Sequence, residues 1–319
     1  MDAIVTQGLS KTYGLSHLPF RRGHAVSALA GLTITVHQGE IFGFLGPNGA
    51  GKSTTIRLLL GFLHPTAGRA TVLGRDALAD GLEIRRRSGY LPGGIALYDT
   101  MTGETLLDYL ADLYGREPIL RSQLLDRLEL SAADLRRLVR DYSRGMRQKL
   151  GIIQALQHDP ELVILDEPTE GLDPLMQRAF YELLDERRAA GRTVFFSSHI
   201  LSEVERVCDR VAIIRKGALV ALSDVAALLA RRRRHVEIRF EGPPPAMAGV
   251  PGVSDVIVGE RLVTCQLEGD VAPFLAALSG VQVHDLLIEP ARLEEAFLEF
   301  YADDLAPVAP SRLHVADPP

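Results

Sequence analysis

The pattern of apolar and polar positions along the chain alternates between strand and helix character. Short runs typical of strands fill much of residues 3–45, namely "AIVTQGL", "LTITVHQ" and "EIFGFLG". The segment "KSTTIRLLLGFL" has helical spacing and ends at the turn "HPTAG". Further along, the continuous apolar runs "ELVILD" and "TVFFSSH" are typical of buried parallel strands and flank the amphipathic helix "LMQRAFYELLDERRAAG". This alternation predicts an α/β fold built on a parallel sheet.

Two stretches depart from this alternation within the first domain. Residues 99–158 carry mostly helical patterns, such as "TLLDYLADLYG" and "SQLLDRLEL", and predict a helical insertion into the α/β body. The run "RVAIIRKGALVAL" predicts a hairpin that turns at Lys216 and Gly217. We therefore expect a parallel core that carries both an antiparallel β flank and a helical insertion.

The character of the chain changes again near residue 230. Strands are predicted in "RRRRHVEIRF", "DVIVGERLVTCQL" and "VQVHDLLIEP", and helices in "VAPFLAALSG" and "ARLEEAFLEFYA". We expect a first domain over residues 1–228, a small α+β domain over 229–302, and a disordered tail rich in Pro and Asp over 303–319.

Composition narrows the class of protein. The chain has 319 residues, a net charge of −6 and a pI of about 5.9, and this acidic balance argues against a nucleic-acid partner. Its two cysteines, Cys208 and Cys265, are far apart, which indicates a reducing cytoplasm rather than a disulfide framework. We see neither a signal peptide nor an apolar run long enough to span a membrane. If the protein works at a membrane, we expect another polypeptide to span it.

The segment "GPNGAGKS" fits the phosphate-loop pattern G-x-x-x-x-G-K-[ST] between a strand and a helix. Glycines allow backbone N–H groups to point at phosphate oxygens, Lys52 adds a point charge, and Ser53 offers a hydroxyl to Mg²⁺. The competing interpretation is a glycine-rich turn that matches by chance. The candidate nucleotide-binding residues here are Gly46, Pro47, Asn48, Gly49, Ala50, Gly51, Lys52, Ser53 and Thr54.

A Mg²⁺–phosphate site also needs a carboxylate at the end of a nearby strand, and "LVILDEP" supplies two. Asp166 would hold Mg²⁺ together with Ser53, and Glu167 would orient and polarise the attacking water. An acidic pair at a helix N-terminus is the alternative. Pro168 and the apolar run before Asp166 argue against it.

Further motifs in the chain resemble the ATP-binding subunit of an ABC transporter. The segment "YSRGMRQ" (142–148) is similar to the family's signature, usually LSGGQ, "EGLDP" (170–174) to the loop after the carboxylate strand, and "SSHILSEVE" to the segment with the switch histidine. All stand in the family's order, so the resemblance covers residues 1–225. The segment "ARLEEAFLEFYA" resembles the C-terminal extension of bacterial drug and antibiotic exporter ATPases.

This resemblance implies ATP and Mg²⁺ as cofactors, and ATP hydrolysis that energises transport, namely export of drugs, antibiotics or lipids. It implies that Glu167 and His199 are catalytic and that Tyr13 stacks on adenine. Ser143, Gly145 and Asp173 would act across a nucleotide-sandwich dimer, either a homodimer or a heterodimer. The partner would be a membrane-spanning permease, which would hold the chain on the cytoplasmic face of the inner (plasma) membrane.

Each inferred role has an alternative. Tyr13 could be an ordinary strand aromatic, His199 a capping or surface histidine, and Asp173 only a helix cap before Pro174. The alternative function is a soluble ABC-type ATPase in translation, DNA work or self-resistance regulation. The chain has one cassette and shows no long coiled coil, and both features argue against the first two roles.

The sequence departs from the family pattern at several positions. Gly93 stands where the family has a glutamine that touches Mg²⁺ and water, and we expect Gly93→Gln to change basal turnover or its coupling to transport. In the signature, Arg144 replaces a glycine and Met146 a glutamine, whereas Glu170 stands where the family has Ser or Asn. Arg144 adds positive charge to a turn expected to face ATP.

Overall fold

The computed structural model describes residues 1–14, 25–230, 234–247 and 249–289. Its contacts divide the chain into two units, Met1–Ala227 and Leu228–Pro319. Several features predicted from sequence lie outside the described residues: most of the loop at 14–24, the helix at 291–302 and the tail at 303–319.

The first unit contains strands, which form two sheets, and a set of helices. Its strands are β1 Asp2–Tyr13, β2 Val26–Leu32, β3 Thr35–His37, β4 Ile41–Leu45, β5 Ala67–Val72, β6 Arg75–Asp76, β7 Ser88–Leu91, β8 Leu162–Asp166, β9 Thr193–Ser198, β10 Arg210–Arg215 and β11 Ala218–Asp224. Its helices are α1 Lys52–Leu59, α2 Gly81–Arg87, α3 Gly103–Tyr114, α4 Arg121–Arg127, α5 Ala132–Leu135, a 3₁₀ turn Val139–Asp141, α6 Arg144–Leu156, α7 Pro174–Ala189 and α8 Leu201–Val207. Helix α9, Val225–Ala230, crosses the division between the units.

The central sheet has the order β11-β10-β4-β9-β8-β7. Neighbouring strands from β10 to β7 run parallel, and β11 joins β10 as the antiparallel arm of the predicted hairpin. Strands β4 and β8 are buried along their whole length, which explains their continuous apolar runs. Phe42 and Phe44 on β4 contact Phe195 on β9 within this core.

The antiparallel flank is a second sheet of order β2-β1-β5-β6, in which β3 also pairs with β1. The predicted strand over 32–38 is interrupted here. Ile34 donates its backbone N–H to Thr6 Oγ1 at 3.0 Å, and Thr6 donates its own N–H to Ile34 O at 2.9 Å. The pairing therefore breaks between β2 and β3, and β2 begins at Val26, upstream of the predicted strand.

The helical insertion corresponds to helices α3 to α6. Thr102 caps α3, and Ser131 forms a capping box with Asp134 at α5. Two predicted helices are shorter than expected. Helix α1 ends at Leu59, and α4 ends at Arg127 because Glu129 has a φ of 52° that a right-handed helix cannot contain.

The second unit is an antiparallel sheet with one described helix. Its elements are β12 Arg234–Glu241, β13 Val253–Val258, β14 Leu262–Leu267, α10 Ala272–Ala277 and β15 Gln282–Ile288, with strand order β13-β14-β12-β15. The run 255–267 forms two paired strands with a turn between them, whereas the pattern suggested one. Val236, Ile238, Phe240, Cys265 and Phe274 form its core.

Within the part of the chain that the structure describes, no helix combines the length and apolar character required to cross a bilayer. Both cysteines are free and buried, and burial raises the pKa of each thiol.

Candidate functional site

The loops that carry the predicted chemistry lie at one edge of the parallel sheet. Strand β9 lies between β4 and β8, and all three run in the same direction. Carboxyl ends of parallel strands meet at the same edge, where such folds bind ligands. The phosphate loop follows β4, Asp166 and Glu167 stand at the end of β8, and His199 follows β9.

The phosphate loop is fixed by backbone contacts that exclude side chains. A Cβ on Gly46 would lie 2.4 Å from Ile214 O, and one on Gly51 would lie 2.4 Å from Ala28 O. Gly51 also has a φ of 108° as it leads into α1. The sequence must therefore place glycine at both positions for β4 to turn tightly into α1.

Lys52 lies beneath this loop with only 5% of its surface exposed. Its Nζ donates to Gly46 O at 2.7 Å and to Pro47 O at 3.3 Å. A buried ammonium group, a close-fitting glycine loop and a helix N-terminus together fit the phosphates of a nucleotide.

Ser53 and Asp166 form a small oxygen cluster beside Lys52. The Ser53 hydroxyl donates to Asp166 Oδ2 at 2.8 Å, and Ser197 Oγ donates to Asp166 Oδ1 at 3.0 Å. Asp166 is buried, whereas Ser53 is exposed. Across the described ranges, no group of three or more His, Cys, Asp or Glu side chains could hold a metal. The hydroxyl of Ser53 and the carboxylate of Asp166 are oxygen ligands of the kind that Mg²⁺ takes, and phosphates and water would supply its other ligands.

Glu167 joins the loops after β4 and β9. Its Oε1 lies 3.4 Å from Lys52 Nζ and 3.2 Å from His199 Nδ1. The backbone of Glu167 is left-handed, with a φ of 51°, and its N–H donates to Ser197 O at 3.0 Å. Such a conformation is unfavourable for a residue with a side chain and is concentrated at functional sites. The structure therefore brings Lys52, Ser53, Asp166, Glu167 and His199 into one contiguous set.

The other predicted residues have their contacts elsewhere. Ser143 caps α6 by accepting from Met146 N, and a Cβ on Gly145 would lie 3.1 Å from Gly171 O. Asp173 caps α7 by accepting from the N–H groups of Leu175 and Met176, both at 3.0 Å. Tyr13 ends β1, is 41% exposed, and has Lys11 Nζ 5.3 Å from its ring centre. Their roles towards a nucleotide remain predictions.

The departures from the family pattern have structural partners. A Cβ on Gly93 would lie 3.2 Å from both Cγ and Oδ2 of Asp166, because Gly93 follows β7, the neighbour of β8. Arg144 forms an ion pair with Glu170, and both side chains are exposed. Arg144 and Glu170, which both depart from the family pattern and lie apart in the sequence, thus contact each other in the structure.

Sequence reasoning missed the residues that support this set. Ser197 binds Asp166, and Glu203 accepts from the hydroxyls of Thr169 and Ser198. Gln148 donates to Pro168 O at 2.5 Å. Ser197 and Glu203 lie within "SSHILSEVE" and Gln148 ends "YSRGMRQ", but none of them has a spacing rule of its own that would assign it a role.

Comparison with known proteins matches residues 29–170 to the domain family described as ABC transporter. An ABC transporter ATP-binding protein of Nostoc sp. is 44% identical over 233 residues, covering 72% of this chain and 68% of the relative. A fluoroquinolones export ATP-binding protein of Mycobacterium tuberculosis is 39% identical, covering 75% of this chain and 81% of the relative. A bacitracin transport ATP-binding protein of Bacillus licheniformis is 40% identical, covering 74% of each.

A solved ATP-binding subunit of an ABC transporter is 31% identical, with a TM-score of 0.64 over 71% of this chain and 91% of that one. These likenesses confirm the predicted α/β fold with its phosphate loop and the predicted family. The chain belongs to the ABC transporter family, as an ATP-binding subunit that hydrolyses ATP to energise transport.

Proposed function

We propose that this ATPase drives export through a separate membrane-spanning permease, working as a dimer of ATPase subunits with Mg²⁺ and ATP. The single observation that carries the proposal is the contiguous set of Lys52, Ser53, Asp166, Glu167 and His199 at one edge of the sheet. The names of the relatives in Mycobacterium tuberculosis and Bacillus licheniformis support drugs or antibiotics as the cargo, with lipids as the alternative cargo.

Each member of this set has a distinct proposed role. The phosphate loop and Lys52 bind the phosphates of ATP, and Ser53 and Asp166 hold Mg²⁺, which would neutralise developing charge on the phosphates. Glu167 orients the attacking water and accepts its proton. His199, 3.2 Å from Glu167 Oε1, fixes the orientation of that carboxylate.

The dimer is proposed because a second group of anion-binding features lies on a different loop. Ser143 is exposed at the N-terminus of α6, a helix of 13 residues, with Gly145 in the first turn. Ser143 is hydrogen-bonded within α6, and Gly145 lies beside Gly171 in the loop after β8 rather than beside the phosphate loop. A second ATPase subunit would place them over the nucleotide of the first, and Asp173 would lie near the same contact.

A surface for the permease is proposed on the helical insertion. Tyr98 and Tyr109 make an edge-to-face contact at 5.8 Å between ring centres, and both are exposed. Arg147 on α6 binds Asp99 at 2.7 Å, which connects the signature helix to this aromatic pair. Exposed aromatic side chains of this kind suit a protein interface. Through that contact the chain would work on the cytoplasmic face of the plasma membrane.

The test is co-expression with candidate permeases, purification of the assembly and measurement of ATPase stimulation by a panel of drugs and lipids in proteoliposomes. We expect stimulated turnover in the assembly and none with a Glu167→Gln subunit. Turnover that responds to ribosomes or DNA but to no membrane partner would contradict the proposal and favour a non-transport role.

A further inference from the structure

Glu203 is a buried carboxylate to which none of the proposed steps assigns a role. It lies in the first turn of α8 and is 6% exposed. Thr169 Oγ1 donates to its Oε1, and Ser198 Oγ donates to its Oε2 at 2.6 Å. Burial, followed by the charge of Glu203, raises the pKa of Tyr181. A buried charge requires such donors to offset its desolvation.

The donors come from the two loops that carry the proposed hydrolysis residues. Thr169 follows Glu167 by two residues, and Ser198 directly precedes His199. The two oxygens of one carboxylate therefore hold the loop after β8 and the end of β9, where the loop with His199 begins. Ser198 Oγ also accepts from Ile200 N at 2.9 Å, so the His199 backbone is fixed on both sides.

The loop after β8 needs this support because of its backbone. Glu167 has a φ of 51°, and a strained conformation persists only where neighbouring contacts determine it. Gln148, on the signature helix α6, holds Pro168 O at 2.5 Å, and Glu203 holds Thr169 on the other side. The strained residue is thus followed by two anchored positions.

We propose that Glu203 is a positioning residue for hydrolysis, which holds Glu167 and His199 at their mutual distance through Thr169 and Ser198. The inference rests on the proposed role of Glu167 and goes beyond it. Loss of this contact allows the Glu167 loop to relax, and an error of about 1 Å at a reacting group can cost roughly a hundredfold in rate. Lys52 and the phosphate loop do not contact Glu203 through these hydrogen bonds, so nucleotide binding is spared.

The main test variant is Thr169→Val, which keeps the side-chain shape and removes one donor. We expect kcat for ATP to fall roughly tenfold while KM changes by less than about twofold, because positioning is disturbed and binding is not. Glu203→Gln keeps one acceptor and should lose less activity than Glu203→Ala. The matched control is Tyr181→Phe, which removes a hydroxyl on α7 that senses the same carboxylate but holds neither loop, and it should leave kcat within about twofold.

A double-mutant cycle separates positioning from plain stability. Thr169→Val combined with Glu203→Gln should lower kcat hardly more than the stronger single change, since both break one contact. Additive losses, wild-type kcat in Thr169→Val, or losses that follow melting temperature equally in Tyr181→Phe would overturn the inference. If Glu167→Gln hydrolysed ATP at the wild-type rate, the role proposed for Glu167 would fail instead, whatever Thr169→Val showed.

Discussion

Two regions of the first unit, the catalytic edge and the signature turn, are organised in opposite ways. The catalytic edge is defined by the residues with proposed roles in hydrolysis, Lys52, Ser53, Asp166, Glu167 and His199. Ser53 contacts Asp166, Glu167 contacts Lys52 and His199, and the two groups adjoin along the backbone. In the signature turn, residues 143–145, Ser143 and Arg144 are exposed and Gly145 is half-buried, and the charged contact of the turn is the surface ion pair of Arg144 with Glu170. Residues of the catalytic edge contact one another within the chain, whereas Ser143 and Arg144 of the signature turn face solvent.

The energetics of the two regions differ accordingly. Hydrogen bonds around the buried Asp166 act where few water molecules compete, so each is expensive to break. An exposed ion pair such as Arg144–Glu170 contributes about 0–1 kcal/mol and is screened by salt. The difference indicates that the catalytic edge is rigid, whereas the signature turn can exchange its partner at little cost.

The largest expected effect comes from changing the chemistry of the catalytic edge and leaving its shape intact. Glu167→Gln keeps the side-chain volume but removes the carboxylate that is proposed to accept a proton from water. We expect the rate of ATP hydrolysis to fall by about a hundredfold or more, as measured by phosphate release. ATP binding, followed with a fluorescent analogue, should persist, and ATP-bound dimer should accumulate in size-exclusion chromatography.

A matched control for this change is Glu182→Gln on the exposed face of α7, where Glu182 binds Arg178 and Arg127. Its turnover should stay within about twofold of wild type, since exposed pairs contribute little. Wild-type hydrolysis by Glu167→Gln would show that the catalytic edge is not the site of chemistry.

The second prediction concerns helix α6. Its N-terminus carries the signature turn, and its other end is buried. His158, just beyond α6, is 3% exposed and stacks on Tyr114 at 3.9 Å between ring centres. Neither ring nitrogen has a hydrogen-bond partner among the described residues. Burial, with a smaller contribution from Arg116, lowers the pKa of His158 to about 4.

Because this pKa is depressed in the folded chain, the neutral ring favours folding above the unfolded pKa of about 6.5. That contribution is lost as the pH falls from about 6.5 to about 4, and it amounts to about 3 kcal/mol. Urea unfolding followed by circular dichroism should show the loss in wild type and a flatter profile in His158→Phe. Identical pH profiles for the two proteins would exclude His158 as the cause.

The third prediction tests how closely the catalytic edge is packed. A Cβ on Gly93 would lie 3.2 Å from the Asp166 carboxylate, closer than ordinary contacts. Gly93→Ala should displace Asp166 from Ser53 and lower ATPase activity by roughly tenfold, with a higher Mg²⁺ requirement. The measurement is phosphate release against Mg²⁺ concentration.

Comparing Gly93→Ala with Gly93→Gln separates crowding from side-chain chemistry. Equal losses in both would assign the effect to the Cβ, whereas higher activity in Gly93→Gln than in Gly93→Ala would show that the amide contributes. ATPase and transport rates equal to wild type in both variants would rule out a role for this position.

The catalytic edge could be predicted from sequence because its residues follow strands whose apolar runs are unmistakable. Asp166 and His199 each end or follow a buried run, and parallel strands place such ends together. The order of those strands could not be read from the pattern. Strand β9 lies between β4 and β8, and because β9 is next to β8, Ser197 donates a hydrogen bond to Asp166.

Contacts between loops that lie far apart in the sequence could not be predicted from it for a similar reason. Glu203 lies on an amphipathic helix where a carboxylate normally faces solvent, and only the packing of α8 buries it. The break between β2 and β3 also depends on Thr6, a residue 28 positions away from Ile34. Short-range periodicity carries no information about either arrangement.

The smallest expected effects belong to the signature turn and test whether it can change partner. Arg144→Gln should weaken ATP-dependent dimer formation by about two- to fivefold, because a positive charge next to the proposed phosphate contact is lost. Glu170→Gln should strengthen it by a similar factor, since Arg144 is then free to face the nucleotide of the second subunit. Both shifts should shrink in high salt, where exposed charges are screened. Sedimentation velocity at two salt concentrations measures them, and changes of the same sign in both variants would mean that the ion pair merely holds the turn in shape.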